Sequence, residues 1–216
     1  MRTFEDKPSV REKTPILIGL VSPSGGGKTY SSLRLATGIQ RISGGDIFHI
    51  DTEARRALHY ADQFKFRHLE FKSPFSPLDY LAAIEHCSKK GARIIIVDSM
   101  SHEHEGPGGV LEMHETELER LSRGDQARRN SFNLLAWQKP KSERRRLINT
   151  ILQMPINFIF CFRAKEKTKP GKDRDGKSVM VPLGWMPIAG EEFVYEMTVN
   201  ILLGAASGGI PTWNPQ

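Results

Sequence analysis

The stretch at residues 16–30, ILIGLVSPSGGGKTY, constrains this chain more than any other. Apolar residues and one glycine, Ile16 to Val21, break into Ser-Pro-Ser-Gly-Gly-Gly, and Lys28, Thr29 and a run that can be helical follow. Strand, glycine-rich loop and helix, with Lys-Thr at the helix start, is the pattern of a phosphate-binding P-loop. Ser24, Gly25, Gly26 and Gly27 let backbone N–H groups turn inward around phosphate oxygens. The new helix adds unpaired N–H groups and a positive dipole end. Lys28 is expected at the β- and γ-phosphates of ATP, Thr29 on a Mg²⁺ ion, and Tyr30 beside them. Ser22 stands where the full motif has its opening glycine. A tight glycine turn with a surface lysine is the competing reading, and the strand–loop–helix setting argues against it.

At 216 residues the chain fits one α/β domain. No apolar run approaches the 18 residues that a membrane span needs, and residues 1–13 lack the apolar segment of a signal peptide. Cys87 and Cys161 fit no metal spacing and read as buried thiols of a reducing, cytoplasmic compartment. The formal net charge of +6 permits a polyanionic partner.

Read in order, residues 1–14 form a polar arm, 15–205 the folded domain and 206–216 a loose tail. Strands are expected at 16–21, 46–50, 67–71, 93–97, 156–162, 179–182 and 194–203. Helices are expected at 29–41, 78–90, 110–122 and 140–154, with a helical turn or two within 54–64. Residues 125–129 are expected to be exposed, 106–109 a flexible loop and 165–177 a basic loop. Strands alternating with helices imply βαβ crossovers and a mostly parallel, doubly wound sheet, with the late strands open to antiparallel pairing.

In such a sheet the functional loops follow the carboxyl ends of the strands. Asp98 ends the run IIIV and fits a Walker-B aspartate that holds Mg²⁺; a turn or capping aspartate is the alternative. Glu53, in DTE after the second strand, supplies a carboxylate that could orient or deprotonate an attacking water. A solvated acidic turn is the alternative there.

HIDTE after a strand, with the glycine-rich loop before it and IIIVDS after it, resembles the RecA-like recombinase ATPases. DSMSHEHEGPGG and the late FRAKEK are similar to small phage-encoded AAA-type nucleotide-binding proteins, among them Sak-type recombinases that anneal single strands. The resemblance, spanning roughly 15–205, implies a RecA-like core in which Glu53 is the catalytic base, Lys28 and Thr29 bind Mg·ATP and Asp98 holds the metal. It also implies a ring or filament of identical subunits, single-stranded DNA as partner and, for a phage protein, a bacterial cytoplasm.

Arg163 stands where a sensor of the γ-phosphate would sit, and Lys165 and Lys167 could serve there or act as fingers on a neighbour's ATP; a solvated basic loop is equally consistent. Arg144, Arg145, Arg146, Lys169 and Lys172 are the candidate DNA-binding residues, through salt-sensitive phosphate contacts. Trp137 and Trp185 are candidates for base stacking or for the core. His102 to Glu105 read as a surface or ligand-responsive loop rather than a zinc site, since no further ligands cluster with them. Two other functions stay open: a P-loop kinase acting on a small molecule, and a nucleotide-gated DNA-binding module without turnover.

Overall fold

The computed structural model describes residues 3–172, 176–205 and 207–212. Parts of the expected arm (1–2), basic loop (173–175) and tail (206, 213–216) lie outside the described residues. The architecture is α/β: a mostly parallel central sheet flanked by helices, with antiparallel strands late in the chain. Its strands are β1 (Leu17–Ser22), β2 (Asp46–Asp51), β3 (Arg67–Glu70), β4 (Ala92–Asp98), β5 (Asn157–Lys172), β6 (Ser178–Pro187), β7 (Val199–Leu203) and β8 (Pro211–Thr212). The order across the sheet is β3-β2-β4-β5-β1-β7-β8, and β6, off this path, pairs with β5. Thus β5 lies between β1 and β4, the two strands that carry the glycine-rich loop and Asp98.

The centre of the sheet follows from its residues. In β4, Ile94 to Val97 are fully buried, Ile95 and Val97 on one face and Ile94 and Ile96 on the other. A β-branched run buried on both sides suits an interior parallel strand, and each such side chain contributes about 1.5–3 kcal/mol of burial. One face carries α1 (Lys28–Ser43), through Leu33 and Ala36. The other carries α2 (Pro77–Lys89), α6 (Gln138–Leu152) and the short α7 (Glu191–Val194), through Tyr80, Ile84, Leu147, Ile151 and Phe193. Ser76 caps α2 by accepting from the Asp79 N–H, with Pro77 at its first turn.

Between β4 and α6 come α3 (Ser101–Glu105), α4 (Val110–Ser122) and α5 (Gln126–Ala136). Residues 125–128 are exposed, as expected, and 126–136 form a helix that Asp125 caps and that buries only Ala136. Two expectations need correction. Residues 165–172 are not a loop, because β5 runs on past the sheet and pairs antiparallel with β6, from Ala164–Pro187 to Lys172–Ser178. Finally, the expected strand at 194–203 begins only at Val199, since α7 occupies its start. Among the described residues no helix is long and apolar enough to cross a membrane.

Candidate functional site

The carboxyl ends of β1, β2 and β4 meet at one rim of the sheet, beside the middle of β5. Ser22 is in register with Arg163, Asp98 with Cys161 and Asp51 with Asp98. In the loop between β1 and α1, Gly25 and Gly27 have φ of 78° and 88°, values that suit glycine. A Cβ on Gly26 would lie 1.8 Å from the hydroxyl of buried Ser22, which donates to the Pro23 carbonyl. The serine at the motif's opening position therefore fills the space that Gly26 leaves free.

Above this rim opens a cavity of about 720 Å³, lined by Ser24, Gly25, Gly27, Lys28, Thr29, Tyr30, Glu53, Asp98 and Arg163 among others. Lys28 Nζ folds over the loop and donates to the carbonyls of Ser22 (3.0 Å) and Pro23 (3.1 Å). The Thr29 hydroxyl donates to Asp98 Oδ2 at 2.5 Å. Asp98 is buried, without an arginine or lysine in salt-bridge contact among the described residues; desolvation pushes its carboxyl up to about 6, against the opposing hydrogen bond from Thr29. Across the cavity Glu53 accepts from Arg163 Nε and Nη2, both at 2.9 Å, and Arg56 approaches it at 3.6 Å.

Glu53 is aimed by its neighbours. Asp51 Oδ1 accepts the Glu53 N–H at 2.7 Å, and the Thr52 hydroxyl accepts the Ser99 N–H at 2.8 Å and lies 2.7 Å from His102 Nδ1. Burial lowers the His102 imidazole, with Arg163 adding to the effect. Asp51 lies two residues before Glu53, but local spacing gives no sign of Ser99, His102 or Arg163, which are 46 or more residues away in sequence. Tyr60, in the 3₁₀ helix Arg56–Tyr60, and Ile188 also line the cavity, outside the motifs that the sequence marks. Tyr60 packs edge-on to Tyr30 at 5.7 Å and shares the cavity wall with it; an aromatic seven residues after Glu53 was the available signal.

The remaining candidates scatter. Lys165 and Lys167 are absent from the cavity lining; with Lys169 they alternate along β5 and so share one face of the β5–β6 ribbon. Lys172 lies at the far end of the same ribbon. Arg145 and Arg146 are exposed on α6. Arg144 is corrected: it is buried and cannot reach a DNA backbone, because Nε and Nη2 donate to Glu103, both at 2.9 Å, and Nη1 to Glu192 at 3.0 Å. The expected loop at His102–Glu105 is helix α3, which drives Glu103 into that network and sets His104 Nδ1 3.0 Å from Arg144. Trp137 is stacked on His114 at 4.1 Å, with Lys141 over its ring, so it is not free to stack on a base. Among the described residues no group of three or more His, Cys, Asp or Glu could hold a metal by itself.

The rim thus combines a glycine-shaped loop at a helix N-terminus, a lysine, a hydroxyl–carboxylate pair and a second carboxylate facing them. Such a set can hold a phosphorylated ligand and present a proton acceptor to it. The chain matches no protein-family model, and no curated protein matches it.

Proposed function

We propose that this chain is a Mg²⁺-dependent, RecA-like ATPase of phage type that binds single-stranded DNA in recombination or annealing. One observation carries the reading: Lys28, the Thr29–Asp98 pair and Glu53, from three separate strand ends, line one cavity. The donor set fits Mg²⁺, which takes one or two carboxylate or hydroxyl ligands and completes its shell with phosphate and water. Thr29 and Asp98 would hold the ion, and it would neutralise charge on the β- and γ-phosphates.

In this mechanism Lys28 exchanges its two loop carbonyls for phosphate oxygens, and the loop N–H groups hold the phosphates. Glu53 orients a water toward the γ-phosphorus; the new O–P bond forms as the bond to the β-phosphate oxygen breaks, and Glu53 takes the water's proton. Arg163 holds both Glu53 oxygens; for Glu53 to accept a proton, Arg163 transfers its hydrogen bonds to the γ-phosphate. Arg163 begins the segment that continues into the β5–β6 ribbon, so the same exchange reaches the Lys165–Lys167–Lys169 face, where DNA phosphates would lie. In a ring or filament of identical subunits, Lys165 and Lys167 would approach a neighbour's site.

ATP hydrolysis measured with and without single-stranded DNA tests the reading. Glu53→Gln should lower turnover about 10²–10⁴-fold, the usual contribution of a general base, with nucleotide still bound. Lys28→Ala should abolish nucleotide binding. Salt-sensitive DNA binding without turnover would point instead to a nucleotide-gated module, and phosphate passed to a small molecule to a kinase. Unchanged nucleotide affinity in Lys28→Ala would remove the site itself.

A further inference from the structure

Glu53 stands on a turn that its own residues do not favour. Ala54 and Arg55 have φ of 56° and 66°, two consecutive non-glycine residues in the left-handed region, a conformation that L side chains adopt only when their surroundings impose it. The group imposing it is Asp51, the buried last residue of β2. Its Oδ1 accepts the Glu53 N–H at 2.7 Å, and its Oδ2 accepts the Ala57 N–H at 3.2 Å, so one carboxylate grips the turn at both ends. From β3, His68 Nε2 lies 3.1 Å from the same Oδ2, a hydrogen bond that places a ring proton on Nε2. The Asp51 carbonyl accepts the Phe71 N–H at 2.9 Å, which ties the anchor to the chain leaving β3.

We infer that Asp51 and His68 are positioning residues that hold the Glu53 carboxylate over the cavity by fixing the left-handed turn behind it. Neither lines the cavity, so neither touches the ligand; they act through the backbone of residues 53–57. The Asp51 side chain acts as acceptor only, receiving three donors on its two oxygens. An asparagine there would turn one oxygen into an NH₂ group facing N–H donors. His68 supplies the third donor and keeps Oδ2 oriented toward the Ala57 N–H. The inference rests on the hydrolytic reading for its kinetic consequence, but its structural content is independent of it.

The test uses the whole chain and compares Asp51→Asn, His68→Ala and His68→Gln with wild type and with Glu53→Gln. In Asp51→Asn, kcat for ATP should fall about 10–100-fold while KM and nucleotide affinity stay within about 2-fold, since Lys28, Thr29 and Asp98 are untouched. His68→Ala should lower kcat by a smaller factor. His68→Gln, which returns an N–H donor, should recover most of that loss, a rescue that mere packing would not give. Hydrogen exchange of the Glu53 and Ala57 amides should speed up at least 10-fold in Asp51→Asn and less in His68→Ala. If wild type turns over ATP and Glu53→Gln does not, an unchanged kcat in Asp51→Asn overturns the positioning role and leaves hydrolysis standing. If wild type shows no turnover, hydrolysis fails and amide exchange decides: unchanged protection at residues 53 and 57 overturns the anchor. Should Asp51→Asn not fold, the His68 pair gives the same decision.

Discussion

Two glutamate–arginine pairs in this molecule share one geometry and differ in setting. Glu53 with Arg163, and Glu103 with Arg144, each form two hydrogen bonds of 2.9 Å through Nε and Nη2. In the first pair the side chains are 12% and 40% exposed; in the second, 3% and 4%. The first joins the turn after β2 to the middle of β5 across an open cavity. The second joins α3 to α6 inside the protein, where burial raises the Glu103 carboxyl and the charge of Arg144 opposes that shift. Bond length therefore says little about energy. A solvent-touched pair contributes about 0–1 kcal/mol and can be traded for another anion, whereas a buried pair is costly to break because either ion alone is stranded.

The largest test of this contrast is Arg144→Ala. It leaves the Glu103 carboxylate buried, with Glu192 and His104 the remaining members of that network, and should cost about 3–5 kcal/mol, seen as a lower urea midpoint at unchanged slope. Glu103→Leu combined with Arg144→Met removes both charges and should recover much of the loss. If Arg163→Ala destabilises the protein as much as Arg144→Ala, the contrast is broken.

Asp98 sharpens the comparison, being a buried carboxylate with no arginine in ion-pair contact among the described residues. Its folded value of about 6 lies above the ordinary 3.8, so the folded protein binds a proton that the unfolded chain does not. Stability from this group rises as pH falls from about 6 to about 4, and at neutral pH its charge costs on the order of 2–3 kcal/mol. His49 has the opposite sign. It is fully buried with neither ring nitrogen partnered among the described residues, and desolvation lowers it from 6.5 to about 4, so stability is lost as pH falls across nearly the same window. Asp98→Asn should therefore raise the melting temperature of the ligand-free protein at pH 7.5. Its stability should then fall more steeply than wild type between pH 6 and 4, while Mg²⁺-dependent nucleotide binding is lost. A melting temperature at pH 7.5 no higher than that of wild type would show that Asp98 carries no buried charge to relieve.

Much of the site was legible because its residues sit at strand ends that the sequence marks. IIIV before Asp98 and the apolar run before the glycines are continuous β patterns, and the helix at 110–122 appeared with its observed bounds, Val110–Ser122. Helix α5 was not legible, since a helix that buries only Ala136 leaves almost no apolar period to read. The ribbon was missed because Lys, Pro and Gly read as loop, whereas its strand form comes from pairing with β6. Arg144 looked like one of three equivalent arginines. Helical phase separates it: Leu147, Ile148 and Ile151 lie three, four and seven residues on and share its buried face. The Glu53–Arg163 pair spans 110 residues, and no local pattern encodes such a contact.

The smallest expected effect is the most discriminating between the two pairs. A double-mutant cycle of Glu53→Gln and Arg163→Gln, read by denaturation without nucleotide, should give a coupling of no more than about 1 kcal/mol. That coupling should shrink further between 0.05 and 1 M salt, as the screening length falls to about 3 Å. The parallel cycle of Glu103→Gln and Arg144→Gln should give a coupling severalfold larger and nearly independent of salt, because ions do not enter its surroundings. The cavity pair has to be weak if Arg163 is to leave Glu53 for a phosphate. A coupling at Glu53–Arg163 as large and salt-insensitive as the buried one would mean that the pair is a structural cross-link, and that Glu53 is held too firmly to serve as a base.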